Sequence, residues 1–238
     1  MTTKRRSSAN LLLIAARAPV PGQTKTRLGT TIGMEAAAHL YHGFLTDLAE
    51  HFTPATDPSP GDVGYDLGWA FSPPTCDFRA VISALAGPPP ATVQFVPQDG
   101  DTWGERQLNL LRWGHDHGYA RTVLIASDSP HLSAHVPRDA FAALVDHDIA
   151  IGRVHDGGYY LIGVQGFHDV LSGVPMSTSS AAHALAARAR QLGLRLAELP
   201  STFDIDESAD LVHLRVALAP DGAPAPTTWA VLHELGLG

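Results

Sequence analysis

The 238-residue sequence is short of cysteine and of positive charge. Its single cysteine, Cys76, excludes an intrachain disulfide and a thiolate zinc cluster. Sixteen Lys and Arg stand against 24 Asp and Glu, a formal charge of -8, which leaves no basic footprint for nucleic acid. No window approaches the ~20 apolar residues that span a bilayer. The N-terminus, MTTKRRSSAN followed by LLLIAA, imitates a secretory signal, but the apolar run ends at Arg17 and leads into a charged loop, not a cleavage site. The chain is therefore expected to be cytoplasmic, with no nucleic-acid or membrane partner. Two phosphate-binding signatures are missing as well: G-x-x-x-x-G-K-[ST] and G-x-G-x-x-G. A 45% hydrophobic content argues against disorder, and 22 Gly with 18 Pro in no fixed period point to many turns.

What is present alternates strand and helix. Leu11 to Ala16 is a continuous apolar run, as in a parallel strand covered on both faces. The spacing of Ala38, Tyr41, Leu45 and Leu48 predicts a helix over 34–52. Further strands are expected at 65–71, 91–97, 121–127, 148–154, 158–164 and 195–200, and further helices at 77–85, 105–117, 137–145, 179–192 and 207–218. The stretches 148–154 and 158–164 read as a hairpin. Repeated β-then-α units imply a doubly wound, mostly parallel α/β sheet with this added antiparallel element. Residues 1–10 are expected to be a disordered tail, 11–218 a single domain, and 219–238 a Pro-rich linker with a short helix. In such sheets ligands sit at the carboxyl ends of the strands, which directs attention to the loops after Ala16, Pro97 and Ser127.

The first of these loops, RAPVPGQTKTRL over 17–28, gathers Arg17, Lys25 and Arg27, and Gly22 allows close backbone approach. Three cations in an acidic protein suit a polyphosphate, although a solvated loop with incidental charge fits the same residues. Lys25 is expected to be exposed, so its loss should barely alter the stability of the ligand-free protein. Asp128, directly after the apolar strand 121–127, is placed to hold a metal ion or to cap a turn. Asp204 and Asp206 share one side of an extended segment, while Glu207 and Asp210 suit a helix N-terminus. The 13 histidines form no zinc-binding pair on a clear helix.

Five segments occur in order: RAPVPGQTKTRL, DTWGER, SDSPHL, HDGGYYLIG and DIDESADL. This set resembles the DUF2064 family, also labelled rSAM/selenodomain-associated transferase 1, over about residues 11 to 218. The family belongs with the GT-A-like nucleotide-diphospho-sugar transferases and is similar to the 2-phospho-lactate guanylyltransferases, which carry a related K-[ST]-R-L loop. The resemblance implies that Arg17, Pro21, Gly22, Lys25 and Arg27 embrace a nucleotide's phosphates, with Lys25 and Arg17 nearest. It puts Gln98 and Gly104 at the nucleobase. It implies that Asp128 and Asp206 hold Mg²⁺ or Mn²⁺. The usual T-P-E after the second metal aspartate is Glu207-Ser208-Ala209 here, and the usual cysteine after the first is Ser129. A glycosyltransferase D-x-D is absent, since 126 is Ala and 130 is Pro. Asp156, Gly157 and Gly158 are expected either to face the acceptor or to form a purely structural hairpin turn with Tyr159 and Tyr160 packed as strand residues. Ser177 and Thr178, ahead of an Ala-rich helix, could bind an acceptor phosphate or simply cap that helix.

Together these features imply a Mg²⁺-dependent nucleotidyltransferase in which Lys25, Arg17 and Asp128 carry catalysis, moving a nucleoside monophosphate from an NTP to a small phosphorylated acceptor. The competing expectations are a glycosyltransferase using an NDP-sugar and a non-catalytic nucleotide-binding protein. The partners expected are a nucleotide donor and a small acceptor, with homodimerisation left open.

Overall fold

The computed structural model describes residues 8–54 and 63–238. Most of the expected tail, and most of the Pro-rich loop expected over 53–64, lie outside the described residues. Among the described residues seven strands form one sheet: β1 (Asn10–Arg17), β2 (Asp66–Ser72), β3 (Gln94–Pro97), β4 (Arg121–Ala126), β5 (Ile149–Val154), β6 (Tyr159–Gln165) and β7 (Leu196–Thr202). Their spatial order is β3-β2-β1-β4-β6-β5-β7. β6 is antiparallel to both β4 and β5, and the remaining pairings are parallel. The expected hairpin is thus present, with β6 inserted between β4 and β5.

The absence of polar alternation in β1 follows from burial on both faces. Leu12, Ile14 and Ala16 enter one core, against α1 (Thr26–Ile32), α2 (Met34–Phe52), α3 (Phe78–Ala86), α5 (His135–Ala143), α7 (Asp210–Leu218) and α8 (Pro226–Glu234). Leu11, Leu13 and Ala15 enter the other, against α4 (Trp103–Asp116) and α6 (Ala181–Gln191). From β1 the chain winds out to β3 and then returns to β4 on the other side of β1. The resulting switch point opens a crevice at the carboxyl ends of β1 and β4. No helix among the described residues is long and apolar enough to cross a membrane.

Three helix boundaries differ from expectation for identifiable reasons. α4 starts two residues early because Thr102 and Glu105 form a capping box. α7 starts three residues late because the Asp210 carboxylate turns back to accept the amides of Asp206 and Glu207, at 2.9 and 2.7 Å. α1 was expected to be loop, and it begins directly after Lys25, whose backbone takes a left-handed conformation at φ 47°.

The C-terminal helix docks on α2. Ala225 gives α8 no side-chain cap. Asp47, fully buried on α2, supplies one instead, accepting from the amides of Thr227 (2.9 Å) and Thr228 (2.7 Å). One turn earlier, Gly43 lets α8 approach so closely that an added Cβ would lie 3.1 Å from the Thr228 Cα. Asp47→Ala should therefore orphan one buried and one part-buried amide and lower stability by about 2–4 kcal/mol, with Asp47→Asn intermediate. Urea midpoints measure this, and an alanine variant within about 0.5 kcal/mol of wild type would contradict the docking role.

Candidate active site

The carboxyl ends of β1 and β4 lie in register, Ala15 beside Ala126. Tyr41 of α2 ties them together. Its hydroxyl accepts from the Arg17 amide (3.2 Å) and pairs with the Ser127 hydroxyl (2.6 Å). Burial, reinforced by the charge of Asp128, pushes this phenol up to about 12, so it remains neutral. The loop after β4 is clamped to the segment after β7. The Asp128 carbonyl accepts from the Ile205 amide (3.0 Å), the Ser129 hydroxyl donates to the Phe203 carbonyl (2.8 Å), and the Ile205 side chain is fully buried. With Asp210 holding the 206–207 turn, these bonds set Asp206 opposite Asp128.

Lys25 occupies the gap between them. Its Nζ contacts Asp128 Oδ1 and lies 3.3 Å from Asp206 Oδ1 and 2.6 Å from the Ile205 carbonyl. The side chain is only 5% exposed. Burial works against the ammonium, but the charges of Asp128 and Asp206 outweigh it and hold the Lys25 pKa above its ordinary value. Arg27 engages the other oxygen of Asp206 and reaches Glu207 at 3.3 Å. Exposure of Lys25, expected from the polar loop around it, is therefore corrected: two carboxylates compensate the cost of burying it. Lys25→Ala leaves that pair uncompensated. In EDTA the variant should lose about 3 kcal/mol of stability, the low end for a broken buried pair because the aspartates stay partly exposed, and Mg²⁺ should restore part of the loss. An unchanged melting curve would show that the ammonium does not support the carboxylates.

Two compartments meet at this pair. The first, about 350 Å³, is lined by Arg17, Lys25, Gln98, Trp103 and Arg106. Among the described residues Arg17 and Arg106 have no carboxylate partner, whereas Lys25 and Arg27 do. The second, about 550 Å³, is lined by Trp103, Asp156, Tyr159, Met176, Thr178 and Asp204 among others. Arg27, Trp103, Asp128 and Asp206 border both. Asp204 is pushed up to about 6, first by burial and then by the charges of Asp206, Asp156 and Asp128. Tyr159 is raised by burial while its hydroxyl donates to Gln107 (3.1 Å).

The structure brings together Arg17, Lys25, Arg27, Gln98, Asp128 and Asp206 around the first compartment, and Asp156, Gly158, Ser177 and Thr178 in the second. The Gln98 amide nitrogen is already used, donating to the carbonyls of Ala70 (2.9 Å) and Ala16 (3.3 Å). Pro21 and Gly22 form an exposed turn outside both linings. Gly104 sits on the far side of the first turn of α4, against Met176, and lines a separate cavity. Gly157 serves the wall rather than the cavity: at φ 94° an added Cβ would fall 1.9 Å from the Ser179 carbonyl oxygen. Sequence reasoning missed Trp103, Arg106 and Gln107. Trp103 and Arg106 lie on the first turn of α4, inside the DTWGER segment, and Gln107 follows it directly; the capping box at Thr102 was the signal that fixes their phase.

Hard oxygen donors from Asp128 and Asp206 converge on one cation, with Asp156 and Asp204 in the same cleft. That donor chemistry fits Mg²⁺ or Mn²⁺, which take carboxylate and phosphate oxygens. Among the described residues no group of three or more potential ligands is gathered as a cage; Asp128 and Asp206 are the residues that would hold the ion.

Behind the pair, the His131 ring stacks on Phe203 at 4.0 Å between ring centroids, and its Nε2 meets the Thr202 hydroxyl at 2.9 Å. Burial lowers its pKa to about 4 from 6.5. The folded ring stays neutral where the unfolded chain takes up a proton, so stability falls as pH drops from about 6.5 to about 4, by some 2–3 kcal/mol at most. Denaturation at a series of pH values checks this. A His131→Gln variant with an equally steep acid loss over that window would remove His131 as its source.

The family model described as "Uncharacterized protein conserved in bacteria (DUF2064)" matches residues 77–178, which include α4, Asp128 and the hairpin turn. No curated protein matches the chain. Among solved structures, a candidate nucleotide-diphospho-sugar transferase from Desulfovibrio desulfuricans G20 is 30% identical over 95% of each chain, with a TM-score of 0.84. A cytidylyltransferase from Leptospira borgpetersenii shares the fold at 11% identity and a TM-score of 0.54, over 96% of this chain and 94% of that one. So does a CMP:2-keto-3-deoxy-manno-octonic acid synthetase complexed with CTP, at 13% identity and a TM-score of 0.54, over 88% of this chain and 98% of that one. The seven-stranded sheet is thus the nucleotide-diphospho-sugar transferase fold, and with near-complete coverage of the Desulfovibrio protein and the DUF2064 match across the cleft, the chain belongs to the DUF2064 family.

Proposed function

We propose that the protein is a nucleotidyltransferase that binds an NTP in the compartment of Arg17 and Arg106 and an acceptor in the compartment of Asp156 and Thr178. The observation that carries this reading is the carboxylate pair at the seam of two adjoining cavities, with Asp128 and Asp206 arriving from separate strand ends. A pair split in this way, with Ala126 and Pro130 where a D-x-D would need its second carboxylate, favours nucleotidyl over glycosyl transfer. The cytidylyltransferase with the same fold supports the same choice by analogy.

Arg17 and Arg106 would hold the β- and γ-phosphates, since their charge is not spent on a carboxylate. Lys25 keeps a positive charge at the seam, where negative charge grows as phosphorus is attacked. A divalent ion held by Asp128 and Asp206 would supply charge neutralisation at the phosphate oxygens. The acceptor oxygen bonds to the α-phosphorus, the bond from that phosphorus to the bridging oxygen breaks, and pyrophosphate leaves. Where the acceptor is a hydroxyl, its proton passes to Asp156, a carboxylate of that compartment whose Oδ1 alone is engaged by the Gly158 amide. Trp103 and Tyr159 shield the acceptor side from water.

A second reading, glycosyl transfer from an NDP-sugar, is supported by the description of the Desulfovibrio relative. Calorimetric titration with a panel of NTPs and NDP-sugars in Mg²⁺ separates the two. At least one NTP should bind about tenfold more tightly than the matching NDP-sugar, a difference of 1.4 kcal/mol. Asp128→Asn should abolish Mg²⁺-dependent turnover while leaving the fold intact by circular dichroism. Binding of NDP-sugars alone, or full activity of Asp128→Asn in EDTA, would overturn the nucleotidyltransferase reading.

A further inference from the structure

The second compartment has a charge pattern that does not match a phosphorylated acceptor. Four carboxylates line it, from Asp128, Asp156, Asp204 and Asp206. Its one cation, Arg27, is already paired with Asp206 and Glu207. With the seam pair compensated by Lys25, Asp156 and Asp204 remain. Asp156 uses Oδ1 to accept from the Gly158 amide (2.9 Å), leaving Oδ2 available. Among the described residues the Asp204 carboxylate accepts only from its own backbone amide.

A second, independent observation concerns the N-terminus of α6, where a phosphate was the alternative to capping. The amide of Ala181 donates to the Thr178 carbonyl and that of Ala182 to the Gly157 carbonyl, each at 3.1 Å. The Thr178 hydroxyl donates to the Pro175 carbonyl (2.9 Å). The first two amides of α6 and the Thr178 hydroxyl are therefore occupied within the protein. What the cavity presents instead is the ring surfaces of Trp103 and Tyr159, the Met176 thioether, and carboxylate oxygens with acceptor capacity to spare.

Resting on the two-compartment reading above, we infer that the acceptor is an uncharged polyhydroxylated molecule, a sugar or polyol, which donates hydroxyls to Asp156 and Asp204, and that phosphomonoesters are rejected. Aromatic faces suit the C–H surface of such a molecule, and ionised carboxylates accept from its hydroxyls more strongly than neutral groups do. A phosphate a few ångströms from either carboxylate would be repelled by kilocalories per mole at intermediate dielectric.

Matched pairs test this without turnover: glucose with glucose 1-phosphate, ribose with ribose 5-phosphate, and glycerol with glycerol 3-phosphate, each titrated into the full-length protein by saturation-transfer NMR. For at least one pair the neutral member should bind about tenfold or more tightly than its phosphate. In the Asp156→Asn/Asp204→Asn double variant, with its fold checked by circular dichroism, that ratio should fall to about threefold or less, because the repelling charges are gone. A variant that merely loosened the cavity would weaken both members and leave the ratio unchanged. Tighter binding of the phosphates, an unchanged ratio, or binding of neither member in any pair would overturn the inference. These results are independent of the donor titration: NTPs and NDP-sugars that fail to bind would defeat the transferase reading while the pair ratios still report on the cavity.

Discussion

A buried ammonium between two carboxylates governs this cleft. Lys25, Asp128 and Asp206 come from three separate segments, the loop after β1, the loop after β4 and the turn after β7, and the contacts at Nζ join all three at one point. Each of these charges would be costly to bury alone. Together they fix the end of the loop after β1, including the left-handed backbone at Lys25 from which α1 starts. The same contacts close the seam between two cavities, so the group that secures the fold at this edge also sits where chemistry between the cavities would take place.

Most of the architecture was legible in the sequence because it rests on local signals. The helix expected over 34–52 is α2 residue for residue, since its apolar spacing and its burial express the same periodicity. Strands β1, β2 and β4 read as apolar runs because both of their faces are buried. The failures fall where tertiary contacts override local pattern. Nothing local marks Thr26–Ile32 as helical, because its start depends on an ion pair with residues some 180 positions away. The C-terminal helix reads as an appendage after a Pro-rich stretch, since the group that caps it, Asp47, lies on another helix. In the cleft, residue types were legible and their partners were not: Lys25 and Arg27 were recognised as cations, but only the fold reveals that both are bound to carboxylates.

That pairing alters the electrostatic logic of the site. Counting charges along the loop gives three cations for a polyphosphate. Counting them in space leaves Arg17 from that loop, joined by Arg106 from α4. The first compartment is then cationic and the second anionic, although both border the same aspartates. Such a gradient would orient the proposed substrate pair, drawing a highly charged donor to one side and tolerating an acceptor without negative charge on the other. Gln98, buried with its amide nitrogen given to β1 and β2, contributes by keeping those strand ends together beneath the cationic side.

The placement of the anionic side follows from sheet topology. Because β6 runs antiparallel between β4 and β5, the β5–β6 connection is a short turn that stays at the carboxyl edge, instead of a helix crossing to the opposite one. That turn carries Asp156 to Gly158 to the same edge as Asp128. β7, parallel to β5, ends at this edge as well and delivers Asp204 and Asp206. Gly157 then admits the Ser179 carbonyl against its backbone, seating the 177–180 segment as the outer wall. A purely parallel sheet of the same strands would still form the cationic compartment from β1, β2 and β3, but it would leave the carboxylate pair facing open solvent. The single reversed strand is therefore what adds the anionic compartment to the crevice at the ends of β1 and β4, where the proposed acceptor would sit.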